Sequence, residues 1–198
     1  MSIFYLARTK TVDRNGYQQV LSKNLINFVL FQISWLVCVL SGAADNNLPA
    51  ILMTMFFVLL HFLLTDLPKT DAKLIIAAVL TGIMLDSTYS VTGLMAYNAQ
   101  TWAHIAPWWI LCLWVNFALI LNHSLGWLIN RPLLTVLFAG IGSPISYYAG
   151  HKIGALNWLQ PEMLIMVTAI TWAIAVPLLM LLAKRWRKQE QDDVYALV

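Results

Sequence analysis

The chain has 198 residues, of which 60% are hydrophobic and only 11% are charged, and its formal net charge is +3. Soluble domains carry roughly 25% charged residues, so the composition predicts an integral membrane protein rather than a soluble enzyme or a nucleic-acid-binding domain. The sequence contains no Gly-rich phosphate loop, no G-x-S-x-G and no H-E-x-x-H motif, which argues against the common hydrolases and nucleotide-binding enzymes.

Six segments with almost no charged residues follow one another along the chain. They are 24–42, 48–65, 74–97, 105–130, 132–150 and 163–183. A helix that crosses the hydrocarbon core needs about 20 apolar residues, within a range of roughly 17–25. A membrane barrel would need strands with alternating polarity, and that pattern is absent. The sequence therefore predicts an all-α fold, a polytopic six-helix transmembrane bundle.

The Lys and Arg residues are distributed unevenly around these segments. Of the twelve, only Lys152 falls on the opposite side from the others. Basic residues stay cytoplasmic during membrane insertion, so both termini are predicted to be cytoplasmic. This divides the chain into a cytoplasmic N-terminal segment (1–23), a transmembrane domain (24–183) and a cytoplasmic tail (184–198).

Asp86 is the only formally charged residue inside a predicted span. A carboxylate near the bilayer centre costs roughly 2.5–3.5 kcal/mol on insertion scales. It therefore indicates either a ligand or ion path or a hydrogen-bonded packing residue. Gln32 and Asn116 are predicted at similar depths and would share a polar layer with Asp86. Trp35 and Tyr147 would form the walls of a ligand-binding pocket around that layer.

His61 and His123 are predicted nearer the cytoplasmic boundary, on different helices. Two histidines at similar depth can act as acid and base, relay a proton or ligate a metal. Asn122 would orient one of the rings. Asp86 is predicted too far away to be a third ligand, so we expect no metal and no other cofactor. The pattern favours two structural, hydrogen-bonded histidines, and the chemical roles are the alternative.

The fifth segment carries small residues at intervals of four: Gly142, Ser146 and Gly150. This spacing is typical of a helix face that a neighbouring helix approaches closely. Pro144 lies within the same run and should kink the helix, because proline lacks a backbone donor. The pattern favours close packing, and a border of a cavity is the alternative.

Several short motifs together are similar to a known family. They are Phe31-Gln32-x-x-Trp35, His61, Gly82-x-x-x-Asp86-Ser87, Pro107-x-Trp109, Leu113-Trp114, Leu121-Asn122-His123-Ser124-Leu125 and Gly142-x-Pro144-x-x-Tyr147-x-x-Gly150. In these the chain resembles the domain-of-unknown-function family 2878 over about 24–183. The resemblance implies a multi-pass protein of the bacterial inner membrane. It also implies a function related to lipids, because genes of this family neighbour those of lipid-modifying enzymes.

Three functions are compatible with these features. The first, which we favour, is binding or transport of a small hydrophobic molecule or lipid in an intramembrane polar pocket. The second is a membrane-embedded lipid-modifying enzyme that uses the two histidines. The third is a non-catalytic assembly partner of such enzymes. The expected partners are the lipid bilayer, the hydrophobic ligand and membrane enzymes, and not nucleic acid.

Overall fold

The computed structural model of the protein describes residues 14–196. Residues 1–13, the greater part of the predicted N-terminal segment, lie outside the described residues. The elements are α1 (Arg14–Ala43), α2 (Leu48–Leu64), α3 (Pro68–Val91), β1 (Met95–Tyr97), α4 (Trp108–Leu121), α5 (Pro132–Ile153), β2 (Leu156–Trp158) and α6 (Pro161–Ala196). The described chain thus has six α-helices, which confirms the helical fold class. Its two short strands pair antiparallel, with Tyr97 opposite Leu156.

Four of the helices are long and apolar enough to cross a membrane. They contain the segments Leu21–Ala43, Pro68–Val91, Pro132–Ile153 and Pro161–Asp193. The outward faces of these helices are apolar, with Leu80 62% and Leu133 79% exposed. In water such a surface would favour aggregation, whereas in a membrane it contacts lipid tails that are equally apolar. The remaining helices, α2 with 17 residues and α4 with 14, are shorter, and the count of six spans stays a prediction.

The prediction of one continuous helix over 105–130 is wrong. Helix α4 ends at Leu121, and a turn leads to a short 3₁₀ helix, Gly126–Leu128. The polar residues that follow α4 bond to other parts of the chain instead of continuing the helix. Asn122 donates to Asp71, and Ser124 Oγ donates to Asn27 Oδ1. These long-range side-chain hydrogen bonds stabilise the turn that replaces the last part of the predicted helix.

Helix α4 occupies the centre of the bundle, and it packs against α1, α2 and α3. Nine of its 14 residues are buried, among them Trp109, Trp114 and Asn116. The second close pair is α5 with α6, and α6 also packs on α3. Helices α1 and α5 approach each other only weakly, which leaves a gap between them on one side of the bundle.

The C-terminal part of α6 is joined to the start of α3. Helix α6 continues through the predicted tail to Ala196. The Glu190 carboxylate accepts hydrogen bonds from the backbone N–H groups of Lys69 and Thr70, at 3.1 and 2.8 Å. The first N–H groups of a helix have no partner within the helix, so Glu190 supplies the cap that Leu67, the N-cap residue, does not provide.

Replacing Glu190 with alanine is expected to destabilise the protein by about 0.5–2 kcal/mol, the usual effect of losing a helix N-cap. Thermal unfolding in detergent would measure the loss. Hydrogen exchange at Lys69 and Thr70 should become faster. Gln189→Ala, an exposed position one residue earlier, is the control and should leave both measurements unchanged. Equal stability of the two variants would show that Glu190 does not cap α3.

Candidate functional site

A polar cluster lies where α2 meets α3 and where α4 ends. We call it the Asp71 cluster; its members are Asp71, His61, His123, Thr65 and Asn122. The Nε2 atoms of His61 and His123 lie 2.9 and 3.0 Å from Asp71 Oδ2. Thr65 Oγ1 donates to the same oxygen at 2.6 Å, and Asn122 Nδ2 donates to Asp71 Oδ1 at 3.0 Å. Four side chains thus converge on one carboxylate that is 0% exposed.

The α2–α3 hairpin brings three of these residues together. His61 lies one turn before the C-cap residue Thr65, and Pro68 begins the next helix after two more residues. Asp71 lies in the first turn of α3, so it faces back across the turn toward His61. The turn after α4 adds His123, whose ring centroid lies 4.6 Å from that of His61.

The cluster borders a cavity of about 570 Å³, which we call the polar cavity. Its walls come from α1, α2, the turn after α4 and the C-terminal part of α6. Charged residues of both signs line it: Lys23, Asp66, Arg187 and Glu190. The His123 side chain is 20% exposed, whereas that of His61 is only 3% exposed, so His123 forms the side of the cluster that is accessible from the cavity.

One polar atom of the cluster has no partner. Asn122 Oδ1 is buried and accepts no hydrogen bond, although Asn122 lines the polar cavity. The orientation of the amide follows from its neighbour, because the Nδ2 group must face the Asp71 carboxylate and the oxygen cannot. A buried acceptor without a donor destabilises the fold by roughly 1–3 kcal/mol. It is therefore a position where a ligand or water donor would bind favourably.

Sequence reasoning found three of the five cluster residues and missed Asp71 and Thr65. The structure brings the predicted pair, His61 and His123, onto one carboxylate, and Asn122 orients that carboxylate rather than a histidine ring. Asp71 was missed because it lies among charged residues that were interpreted as a cytoplasmic loop. Its position three residues after Pro68, opposite a histidine three residues before the end of α2, was the signal that could have found it.

Asp86 belongs to a second network, in the middle of the bundle. We call it the Asp86 network; it comprises Asp86, Tyr97, Tyr147 and Trp114. The hydroxyls of Tyr97 and Tyr147 donate to Oδ1 at 2.7 and 2.5 Å, and Trp114 Nε1 donates to Oδ2 at 2.7 Å. Asp86 is 0% exposed. Every hydrogen bond that offsets its burial comes from another element, so the network ties α3, β1, α4 and α5 together.

The structure does not bring Gln32 or Asn116 to Asp86. Asn116 is buried elsewhere and donates to Thr54 Oγ1 at 3.0 Å and to Cys38 Sγ at 3.6 Å. Gln32 lies on the exposed side of α1. The prediction of one polar layer formed by these three residues is therefore wrong. Similar depth along separate helices does not determine which faces turn toward each other.

A second cavity, of about 440 Å³, lies in the gap between α1 and α5. We call it the apolar cavity. Trp35 and Gln32 of α1 line one side, and Tyr147 lines the other, so these three candidate ligand-binding residues do surround one space. Trp114 and Trp172 form its inner wall with their rings stacked at 4.7 Å. Two donors of the Asp86 network therefore reach the cavity, although Asp86 itself does not.

The small residues of α5 border this cavity instead of packing against a helix. Nothing lies within 4 Å of the position a Cβ would take on Gly142, and Ser146 Oγ accepts a hydrogen bond from Trp35 Nε1 at 3.1 Å. The close-packed ridge that the sequence favours is therefore absent at Gly142 and Ser146, which line the apolar cavity instead. Helix α6 approaches α5 at Gly140, whose Cβ would lie 3.5 Å from the Ala169 carbonyl.

Pro144 lies inside α5, and the chain remains helical on both sides of it. Gly150 also lines the apolar cavity but is buried, in contact with Leu156 of β2. Helix α5 ends at Ile153, and its C-cap residue Gly154 has a φ of 91°, in the left-handed region that favours glycine. These features set the length and end of α5 and so position Tyr147 against Asp86.

Comparison with known families gives one match. The family model described as "protein of unknown function (DUF2878)" matches residues 24–178. The matched region contains the Asp71 cluster, the Asp86 network and the lining of the apolar cavity. No curated protein matches the chain. No solved structure matches it. Because the match covers most of the chain, this protein belongs to the uncharacterised family DUF2878.

Proposed function

We propose that this protein is a multi-pass inner-membrane protein that binds a small hydrophobic molecule or a lipid acyl chain in the apolar cavity. The observation that carries the proposal is the position of this cavity. It opens between α1 and α5, two helices that are long and apolar enough to cross a membrane. A hydrocarbon chain can therefore enter it sideways from the bilayer without crossing water.

The lining of the cavity suits such a ligand. Most of the lining residues are aliphatic or aromatic, and aromatic rings supply large apolar contact areas. Ligand sites usually have volumes of about 300–1,000 Å³, with a few polar groups that orient the ligand. Gln32 provides such a group, because its side chain has no hydrogen-bond partner among the described residues and it lines the cavity.

The hydrogen bond between Trp35 and Ser146 is the one side-chain hydrogen bond between α1 and α5 in the described part of the chain. Both residues line the cavity. We expect this bond to break when a ligand wider than the gap enters. The width of the entrance between α1 and α5 can then increase. The backbone approach of α1 to α5 is otherwise weak.

The proposed membrane topology has six spans with both termini in the cytoplasm. Contacts support it by gathering the basic flanks at one end of the bundle. Lys23 Nζ donates to the Leu64 carbonyl, and Lys73 lies over the Trp186 ring at 6.0 Å. These contacts join the start of α1, the end of α2, the start of α3 and the end of α6. Cations at one end of a bundle favour the cytoplasmic side.

Replacing Gly142 with tryptophan is expected to fill the apolar cavity and to displace its ligand. The new side chain would project into open space, since no atom lies within 4 Å of its Cβ. Overpacking against a bound hydrocarbon chain costs about 1–3 kcal/mol, which corresponds to roughly 5- to 150-fold in affinity. Native mass spectrometry of the purified protein would measure the retained hydrophobic species.

Leu137→Trp is the matched control, because Leu137 lies on the same helix, is 56% exposed and does not line the cavity. This variant should retain the same bound species as the unmodified protein. Equal retention by Gly142→Trp and Leu137→Trp would contradict the proposed site. Absence of any retained species from the unmodified protein would contradict the proposed function.

A further inference from the structure

We propose that the Asp71 cluster is a binding site for a divalent transition-metal ion. The ligands are His61, His123 and Asp71, which each offer one ligand atom within 4.8 Å of the other two. This site borders the polar cavity, whereas the proposed hydrophobic ligand binds in the apolar cavity. The inference therefore goes beyond the proposed function and can fail independently of it.

The spacing of the three ligand atoms fits a metal ion. Zinc lies about 2.0–2.1 Å from histidine nitrogen and about 2.0–2.2 Å from carboxylate oxygen. Two ligands in the tetrahedral arrangement that zinc prefers are then about 3.4 Å apart. The observed separations from Asp71 Oδ2 are 2.9 Å to His61 and 3.0 Å to His123. The ligand atoms would therefore have to move apart by about 0.4 Å to admit an ion, a movement that side-chain rotation can supply.

The arrangement of charge also favours a cation. Asp71 is fully buried, and among the described residues no Lys or Arg forms an ion pair with it. A buried carboxylate needs a compensating charge. Three donors crowd onto Oδ2 while Oδ1 receives one. A metal ion would relieve this crowding, because both imidazole lone pairs and Oδ2 can face a single cation.

Residues around the three ligands hold the carboxylate in place. Asn122 Nδ2 bonds Oδ1, and Thr65 Oγ1 bonds Oδ2. Such outer-shell contacts commonly change metal affinity by about 10–100-fold. The unpaired Asn122 Oδ1, buried and bordering the polar cavity, is the independent indication of a missing partner. A water molecule bound to the metal would donate to it.

The donor set narrows the chemical class of the ion. Two imidazoles and one carboxylate favour zinc, manganese, iron or cobalt in the divalent state. Neither cysteine belongs to the cluster, so the ligands are not those that copper(I) prefers. Three protein ligands leave positions open toward the polar cavity. Water or an oxygen of an exogenous ligand can occupy them, as in metal sites that remain accessible to substrate.

The sequence predicted no metal because no third ligand was evident beside the two histidines. Asp71 supplies that ligand. The spacing of ten residues between His61 and Asp71 and of 52 between Asp71 and His123 has no resemblance to a local metal motif. The site exists only because a helix hairpin and the end of the central helix meet at one place.

The test is metal binding by the full-length protein, purified in detergent and stripped with a chelator. Isothermal titration with Zn²⁺ is expected to show one ion per chain, and Co²⁺ should give visible absorption bands. His61→Gln and His123→Gln should each weaken binding by about 100-fold or more, since a lost ligand weakens binding at least as much as a lost outer-shell contact. The matched control is His104→Gln, at an exposed loop position, which should bind normally.

Two further measurements keep the test decisive if a histidine variant does not fold. Asn122→Ala removes only an outer-shell contact, and it should weaken Zn²⁺ binding by about 10–100-fold. X-ray absorption at the zinc edge of the unmodified protein should show two imidazole ligands. Failure of the folded, unmodified protein to bind either ion would overturn the proposal. Binding that is unchanged in both histidine variants would also overturn it.

Discussion

Replacing Asp86 with leucine is expected to destabilise the protein by about 3 kcal/mol or more. The substitution leaves three buried donors without an acceptor: the hydroxyls of Tyr97 and Tyr147 and the indole N–H of Trp114. Each unsatisfied buried donor costs about 1–3 kcal/mol. Because the three belong to different elements, the loss affects the packing of the whole bundle. Denaturant unfolding of the purified protein in detergent would measure it.

A rescue experiment separates lost hydrogen bonds from lost shape. Adding Tyr97→Phe and Tyr147→Phe to Asp86→Leu removes two of the stranded hydroxyls. Replacing both partners of a buried hydrogen bond with apolar groups is often nearly neutral, so the triple variant should be more stable than Asp86→Leu alone. A triple variant that is less stable than the single variant would contradict this account of the network.

The control for Asp86→Leu is Asp66→Leu. The Asp66 side chain is 90% exposed, and its ion pair with Lys23 spans 3.5 Å. Exposed ion pairs contribute about 0–1 kcal/mol, so this variant should unfold almost like the unmodified protein. A similar loss for both variants would mean that removal of any carboxylate destabilises the protein, and that the Asp86 network has no special role.

Replacing Gly82 with alanine is expected to be the most damaging single-methyl change in the bundle. The added Cβ would overlap Trp114 Cδ1 and Cγ, far inside van der Waals contact. The indole cannot move aside, because it stacks on Trp172 at 4.7 Å and donates to Asp86 at 2.7 Å. Overpacking of this kind costs about 1–3 kcal/mol and occasionally more.

Gly142→Ala is the matched comparison, because it makes the same change in another helix where nothing lies within 4 Å of the new Cβ. Alanine in a helix interior is favoured over glycine by up to about 1 kcal/mol. The two variants should therefore shift the unfolding midpoint in opposite directions. If both variants stabilised the protein, Trp114 would have to be free to move, and the close contact of α3 with α4 at Gly82 would be wrong.

The two polar centres of the bundle differ in what they can do. The Asp86 network is fully satisfied by its own donors, so its carboxylate has no direct access to a ligand. The Asp71 cluster has an unpaired acceptor and borders a cavity. The sequence analysis favoured Asp86 as the ligand-binding carboxylate and did not select Asp71, since Asp86 was the only charge inside a predicted span. The position of a carboxylate inside a predicted span therefore indicated that Asp86 needs hydrogen-bond partners. It did not indicate that Asp86 binds a ligand.

Much of the helical architecture could be predicted from the sequence. Apolar segments of sufficient length must be helical in lipid, because each backbone group needs a partner within its own segment. That argument is local, and it predicted α2 and α5 to within three residues. It was less accurate for the others: α1 begins ten residues before the predicted segment, α3 is displaced by six residues toward the N-terminus, and α6 extends 13 residues beyond the predicted end. It failed at α4, where Asn122 and Ser124 form contacts with distant residues, Asp71 and Asn27, and the helix ends early.

Membrane character, helical class and the need of Asp86 for partners were determined by the sequence alone, because each depends on local composition. Only the tertiary structure decided which side chains meet. Gln32 and Asn116 turned to different surroundings, and Gly142 borders a cavity. Asp71 lies between two histidines from different helices. The physical reason is that the rotation of each helix about its axis depends on packing against all its neighbours at once, and depth along the helix does not reveal it.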